Sequence, residues 1–383
     1  MKDILKNIRI IALHLAFGGV EKAIVNMANL FIELGYPVEI ICVYRMPNSP
    51  AFPLNAQVQV TYLLKNTPNR QQWKECLKKK RLFQLIKESI KAIRILLHKK
   101  YSVYRAIRNI QDGIIITTRH EDTLVLSKYG RSNVFKIAQL HHDHQFNQKL
   151  LKACSSGYTN IDVFTLLTPQ LADEMREIMK KNQNTRVICI PNFLEQLPEK
   201  VAFANRKKII IAVGRLNRVK GFSRLIEIFS QIHSAVPDWK LLIVGEGEER
   251  SSLETLIQSF SLENQVMLTG QKSSTEIEEL MNDASIYAMT SHSEGLPFVL
   301  LEALSCGLPI IAYDVRVGPR AIVEDRVNGF LIPEHDQQKF IMALLDLIQN
   351  DNLRQTMSNH AYARAKDFSK DRIKNQWNNI LKN

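Results

Sequence analysis

"IIIAVGRLNRVKGFSRLIEIFSQIHSAVPDWKLLIVG" (residues 209–245) contains one full unit of the pattern that decides the fold. Residues 209–214 are an apolar run ending in glycine, as in a strand buried on both faces. Residues 222–236 repeat their apolar side chains at helical spacing. "KLLIVGEG" (240–247) is a second buried strand. Strand, helix and strand at these lengths make a βαβ unit, and so a parallel sheet.

The same alternation extends in both directions. C-terminally come helix "ERSSLETLIQSF", strand "QVMLTG", helix "STEIEELMNDA" and strand "SIYAMT". N-terminally, strands are expected at 8–15, 38–44, 113–118, 134–140, 163–168 and 186–192, with helices at 20–34 and 169–181. A polar, proline-containing stretch, 195–208, interrupts the series and reads as a linker. The expected fold class is therefore α/β, with two doubly wound parallel-sheet, Rossmann-like domains facing across a cleft. Their expected bounds are 1–195 and 206–365, with a C-terminal helix at 366–383 crossing back to the first domain. Ligands are expected beyond the carboxyl ends of the strands.

Composition narrows the function classes. The 383 residues are 45% hydrophobic and 23% charged, ordinary for a globular chain. No apolar run is long enough for a membrane span, and the N-terminus lacks the cleavage pattern of a signal peptide. The five cysteines are scattered and form no C-x-x-C pair, which suits a reducing compartment and argues against structural zinc. A cytoplasmic protein is expected, peripheral at the inner face of the membrane.

Several short patterns carry chemistry. Gly18 and Gly19 follow the first strand and open a helix, so backbone N–H groups can approach an anion there; a tight turn would need glycine anyway. Arg215 and Lys220 flank the loop after strand 209–214, where two fixed cations suit a diphosphate. In "SEGLPFVLLEALSCGLP" (293–309), Pro297 is placed like a first helical residue. That leaves Glu294 in the loop and Glu302 more than a turn into the helix, with the N–H groups near Gly295 and Leu296 facing the same place. Two spaced carboxylates beside an anion site suggest a nucleotide sugar. The structural alternative is that Glu302 pairs with a buried base and Glu294 caps the helix.

Taken in order, G-G after the first strand, "GRL…KG", "IVGEG", the E-x7-E element Glu294/Glu302 and "NGFLI" resemble the retaining glycosyltransferases of family 4, which have the GT-B fold. The resemblance runs nearly end to end and is strongest between 213 and 332. It implies that Arg215 and Lys220 bind the donor diphosphate, that Glu302 binds ribose hydroxyls, and that Glu294 lies by the transferred sugar. Gly19 would pack against the phosphates. A histidine at a strand end approaches the sugar in that family, and His141 matches it better than His142. His141, His142 and His144 with Asp143 could be read as a metal site, but neighbouring strand residues point to opposite faces. No metal or other cofactor is expected. "TRHED" (118–122) ends another strand and could face the acceptor.

Net charge is +13, and it is concentrated. Residues 65–109 hold 14 basic and 2 acidic side chains, a net of +12. Within the basic helical segment 73–110, Leu82, Ile86, Ile90, Ile93 and Leu97 fall on one helical face, and Lys87, Lys91 and Arg94 on another. We expect the apolar stripe to pack inward and Lys78, Lys79, Lys80, Arg81, Lys87, Lys91 and Arg94 to meet an anionic bilayer or acceptor. No nucleic-acid recognition fold or stacking platform accompanies them.

The resulting expectation is a retaining glycosyltransferase. It would move a hexose or N-acetylhexosamine from a UDP-linked sugar to a lipid-linked saccharide or anionic cell-surface glycopolymer. The rivals are a non-catalytic GT-B scaffold subunit of a membrane-associated complex, and another GT-B sugar-nucleotide enzyme such as an epimerase.

Overall fold

The computed structural model describes residues 6–47, 49–65 and 67–382. The chain divides into two compact units. The first comprises residues to Leu167 together with Leu171–Ile190; the second comprises Thr168–Gln170 and the chain from Pro191 onward.

The first unit is built as β1 (Ile8–Ala12), α1 (Gly19–Glu33), β2 (Val38–Tyr44), β3 (Gln59–Leu64), α2 (Arg70–Lys78), α3 (Leu82–Asn109), β4 (Ile114–Thr117), α4 (His120–Tyr129), β5 (Phe135–Leu140), α5 (Gln148–Gly157), β6 (Val163–Leu166), α6 (Pro169–Ile178) and β7 (Arg186–Cys189). Its seven strands lie in the order β3-β2-β1-β4-β5-β6-β7, all parallel. Ile10 of β1 sits between Ile40 and Ile116 on its two neighbours. The central strands are buried at consecutive residues, which means that both faces are covered. β3 was not anticipated. It is an edge strand with alternating exposure, so its sequence lacks the continuous apolar run of its neighbours.

The second unit continues with β8 (Ile209–Val213), α7 (Phe222–Ile232), β9 (Lys240–Val244), α8 (Arg250–Ser259), β10 (Val266–Leu268), α9 (Ser274–Asp283), β11 (Ile286–Met289), α10 (Phe298–Ser305), β12 (Ile310–Asp314), α11 (Pro319–Ile322), β13 (Gly329–Pro333), α12 (Gln337–Gln349), α13 (Asp351–Ala365) and α14 (Lys370–Leu381). Its six parallel strands run β10-β9-β8-β11-β12-β13. The core joins Ile210, Ala212, Leu241 and Ile243 of the sheet to Phe229 of α7 and to Phe340 and Leu344 of α12. Ser273 and Glu276 close a capping box on α9, as "SSTE" suits.

The stretch 195–208 is stitched to the second unit. Arg206 donates from Nη1 to the Ala284 carbonyl at 2.8 Å and from Nη2 to the Cys306 carbonyl. The C-terminal segment clusters with the same unit, where Leu194 bridges to Ser369 and Lys370 pairs with Glu195 at 3.3 Å.

One expectation is overturned. The apolar stripe of α3 does not pack inward: Leu82, Ile86, Ile90, Ile93 and Leu97 are all exposed. The inward residues are Ile95, Val103 and Ile107, on another face of the helix. The first half of α3 rests against α2, through Trp73 Nε1 donating to Ser89 Oγ at 3.0 Å and Asn69 donating to the Glu88 carbonyl at 2.8 Å.

Candidate functional site

In each sheet the chain order reverses at one point, between β1 and β4 in the first unit and between β8 and β11 in the second. Loops leaving such neighbouring strands diverge and open a crevice at their carboxyl ends. Apart from Glu302, which lies on α10, the sequence-selected residues of the second unit come from this pair of loops. Arg215 and Lys220 follow β8, and Glu294 follows β11.

Lys220 Nζ lies 2.7 Å from Glu294 Oε1, with side-chain exposures of 23% and 9%. The pair is held from below. Lys220 ends a 3₁₀ turn whose first residue is capped by Asn217, and the Asn217 side chain accepts from Lys220 N at 3.2 Å. The lysine's aliphatic stem crosses Gly214, where an added Cβ would stand 3.3 Å from Cε. The two loops are cross-linked, since His292 N donates to the Val219 carbonyl at 2.7 Å and Thr290 Oγ1 donates to the Gly221 carbonyl at 2.8 Å. Gly221 adopts φ +63°, and a Cβ there would meet the Thr290 carbonyl at 2.3 Å. Beneath lies buried Tyr287, whose hydroxyl is 3.3 Å from the Val213 carbonyl; burial pushes its phenol upward. A small recess opens here, bounded by Lys220, Phe222, Tyr287, Met289, Ser291 and Val299.

Arg215 is exposed, and among the described residues its guanidinium pairs with no carboxylate. The "IVGEG" glycines explain how its loop is held. A Cβ at Gly245 would stand 1.9 Å from the Gly214 carbonyl, and one at Gly247 would stand 2.2 Å from the Leu216 carbonyl. The backbone of 245–247 therefore packs directly on 214–216, and Leu216 N donates to the Glu246 carbonyl at 2.9 Å.

α10 begins at Phe298, with Pro297 as its extended N-cap rather than its first helical residue. No side chain caps it, and its first turn carries no acidic residue. Glu294 is thus not the helix cap. Leu296 is buried and accepts from Asn192 Nδ2 at 2.8 Å through its carbonyl, while Gly295 is half-buried. Gly318, at φ +103°, brings the loop after β12 against Gly295 and Glu294; a Cβ there would meet the Gly295 carbonyl at 2.8 Å. Glu302 lies half-buried in the second turn of α10.

In the first unit, Gly18 is the N-cap of α1 and Gly19 its first residue. A carboxylate of the chain itself occupies the space over Gly18: Glu21 Oε2 lies 2.1 Å from an ideal Cβ there, and Glu21 Oε1 is 3.3 Å from His14 Nδ1. His141 follows β5 and is buried, with no hydrogen-bond partner for Nε2. Burial, reinforced by His142, holds its pKa down at about 3, so the imidazole is neutral. His142 is exposed, whereas His144 is buried with Nε2 at 2.8 Å from Glu174 Oε2. The three histidines therefore face different surroundings, and among the described residues no group of three or more His, Cys, Asp or Glu could hold a metal ion.

In the first turn of α4, beyond the end of β4, Asp122 is buried and its carboxyl is pushed up to about 6 by desolvation, with Lys99 and Arg119 opposing. Arg119 and Asp122 also act on Tyr44, at the end of β2. A charged cluster therefore stands at the carboxyl edge of this sheet, at "TRHED".

Sequence reasoning selected Lys220 and Glu294 but not their pairing, and it missed Asn217, Thr290, Gly318, His14, Glu21 and Tyr44. The glycine spacing was the one visible signal for the loop packing. The others are ordinary residues made special by strand order.

Residues 194–364 match the family model described as "Glycosyl transferases group 1". The chain is 27% identical over 367 residues to an uncharacterized glycosyltransferase of Haemophilus influenzae, covering 95% of this chain and 96% of that protein. It is 36% identical over 179 residues to the amylovoran biosynthesis glycosyltransferase AmsD of Erwinia amylovora, covering 47% of this chain and 49% of that protein. Among solved structures, the pneumococcal O-GlcNAc transferase GtfA in complex with UDP and GlcNAc superposes with a TM-score of 0.78 at 15% identity, covering 98% of this chain and 99% of that one. The fold is that of GT-B glycosyltransferases, and the family match supports a GT-B glycosyltransferase.

Proposed function

We propose that the chain is a metal-independent, retaining glycosyltransferase of family 4, working at the cytoplasmic face of the cell membrane. The donor is a UDP-linked hexose or N-acetylhexosamine, and the acceptor is a lipid-linked saccharide or an anionic cell-surface glycopolymer. The Lys220–Glu294 pair at the β8/β11 switch point carries this reading. A lysine held at 2.7 Å from a nearly buried carboxylate can meet a diphosphate on one side while the carboxylate accepts sugar hydroxyls on the other.

Arg215 brings a second cation to the leaving diphosphate, and the N-terminus of α10, whose first turn carries no acidic residue, adds the positive end of the helix dipole. Glu302 takes the ribose hydroxyls. These groups stabilise charge that grows on the leaving phosphate as the anomeric carbon–oxygen bond breaks. The acceptor oxygen bonds to the anomeric carbon on the same face, and its proton passes to a leaving phosphate oxygen, so no side-chain base is required. His141, neutral, offers Nε2 to a sugar hydroxyl. The charged groups Arg119 and Glu121 would address the acceptor. UDP in the GtfA complex and "amylovoran biosynthesis" in the Erwinia relative's name support the choice of nucleotide and of a polysaccharide pathway.

The test is transfer from a panel of UDP-, GDP- and ADP-sugars to a polyprenyl-diphosphate saccharide in the presence of a chelator. Anomeric configuration is read by NMR. An α-linked product from an α-linked UDP-sugar is expected; a β-linked product, or activity abolished by the chelator, would overturn the mechanism.

A further inference from the structure

We propose that α3 is an interfacial anchor that inserts its apolar face into an anionic bilayer. This deepens the membrane-face reading of the function and rests on it, but it stands on residues remote in sequence from the donor loops.

The helix has 28 residues and is about 42 Å long. Around its axis, Leu82, Phe83, Ile86, Ile90, Ile93, Leu97 and Tyr101 fall within a sector of roughly 100°. All are exposed, Phe83 at 87%, Leu82 at 70% and Leu97 at 62%. A contiguous exposed patch of this size on a chain with well-filled cores marks a surface that meets something apolar. The adjoining sector carries Lys87, Lys91, Arg94 and Arg105, and Lys78, Lys79, Lys80 and Arg81 cluster at its N-terminal end, all but Arg105 picked out by sequence and all exposed. Only the third face, through Ile95, Val103 and Ile107, belongs to the fold. An apolar strip edged by cations and lying along a helix too polar to cross a membrane is the design of an in-plane interfacial helix.

Charge selects the occupant. A second copy of this chain would have to bring another segment of net +12 against the first in a self-complementary contact, where like charges repel. An anionic lipid surface supplies apolar depth and opposite charge together. The polar links between α2 and α3 keep this face outward, since Trp73 and Asn69 are committed to Ser89 and Glu88.

The test is sedimentation of the full chain with vesicles of phosphatidylcholine alone or mixed with phosphatidylglycerol. Two variants accompany it: F83S/I86S/I90S on the apolar face, and K87E/K91E/R94E on the basic face. All six positions are exposed, so folding should survive; melting temperature and UDP binding are recorded for each. The proposal expects binding to the mixed vesicles only, weakened about tenfold or more by either variant, with UDP affinity unchanged. Part of the binding should persist at high salt in the wild type, because inserted apolar area is not screened. Three results would overturn it: no vesicle binding, binding indifferent to the apolar variant, or a wild-type dimer in light scattering that the apolar variant dissociates. Loss of UDP binding with intact vesicle binding would instead sink the donor-site reading and leave α3 as proposed.

Discussion

Lys220 and Glu294 are 74 positions apart in sequence and 2.7 Å apart in space. Removing the lysine leaves a carboxylate of 9% exposure without its cation. Lys220→Met should therefore lower stability by about 2 kcal/mol and weaken UDP binding, while the double variant with Glu294→Gln should recover most of the stability and none of the binding. Chemical denaturation and calorimetry on the four proteins check both. Two buried groups in the first unit set opposite pH trends. Asp122, raised from 3.8 to about 6, binds its proton more readily when folded. Its favourable contribution is present below pH 3.8 and is lost as pH rises through about 6. Asp122→Asn should accordingly stabilise the protein at pH 8, by no more than about 3 kcal/mol, and change little near pH 4. His141, lowered from 6.5 to about 3, binds its proton more readily when unfolded. It costs nothing above pH 6.5 and destabilises increasingly as pH falls toward 3, so His141→Asn should flatten the acid limb of the stability profile. The residue types and spacings of the loops after β8 and β11 were legible in the sequence. The Lys220–Glu294 contact was not, because it exists only once β11 crosses to lie beside β8.

At the scale of elements, hydrophobic runs revealed the buried strands and glycine revealed the ends of several. β3 escaped because an edge strand covers one face only and alternates like many loops. The helical period of α3 was legible, but a period reports that an apolar face exists and not what covers it; the burial of Ile95, Val103 and Ile107 needed the positions of β2, β3 and α4. The loop after β8 depends on backbone packing that tolerates no side chain. Gly245, at φ +146°, would place a Cβ 1.9 Å from the Gly214 carbonyl, and neither backbone can yield without moving Arg215. Gly245→Ala should cost about 2–4 kcal/mol and reduce nucleotide affinity although residue 245 need not touch the ligand. Gly270→Ala, where the nearest neighbour is the flexible end of Glu246 at 3.3 Å, retains backbone strain at φ +79° and serves as the control, with a smaller loss of stability and little loss of binding. Melting curves and UDP titrations of the two variants separate loop displacement from general strain.

Across the whole molecule, charge and chemistry are divided. Residues 1–200 carry 30 basic and 16 acidic side chains, whereas the remainder is near balance with 21 and 22. The unit rich in cations carries the exposed helix, and the near-neutral unit carries the Lys220–Glu294 pair. Two parallel sheets were legible from the alternation of elements, whereas the strand order that sets their switch points was not. The assignment of 195–208 was not, because its polar composition hides Arg206, whose guanidinium bonds to the carbonyls of Ala284 and Cys306. The central claim is that the second unit binds a uridine nucleotide through Arg215, Lys220, Glu294 and Glu302. It is tested most directly by calorimetric titration of the full chain with UDP, GDP and ADP, beside a Glu302→Ala variant whose melting temperature is recorded. Selective UDP binding, lost or weakened by roughly tenfold in the variant, is the predicted result. Equal binding of all three nucleotides, or UDP binding indifferent to Glu302, would contradict the account.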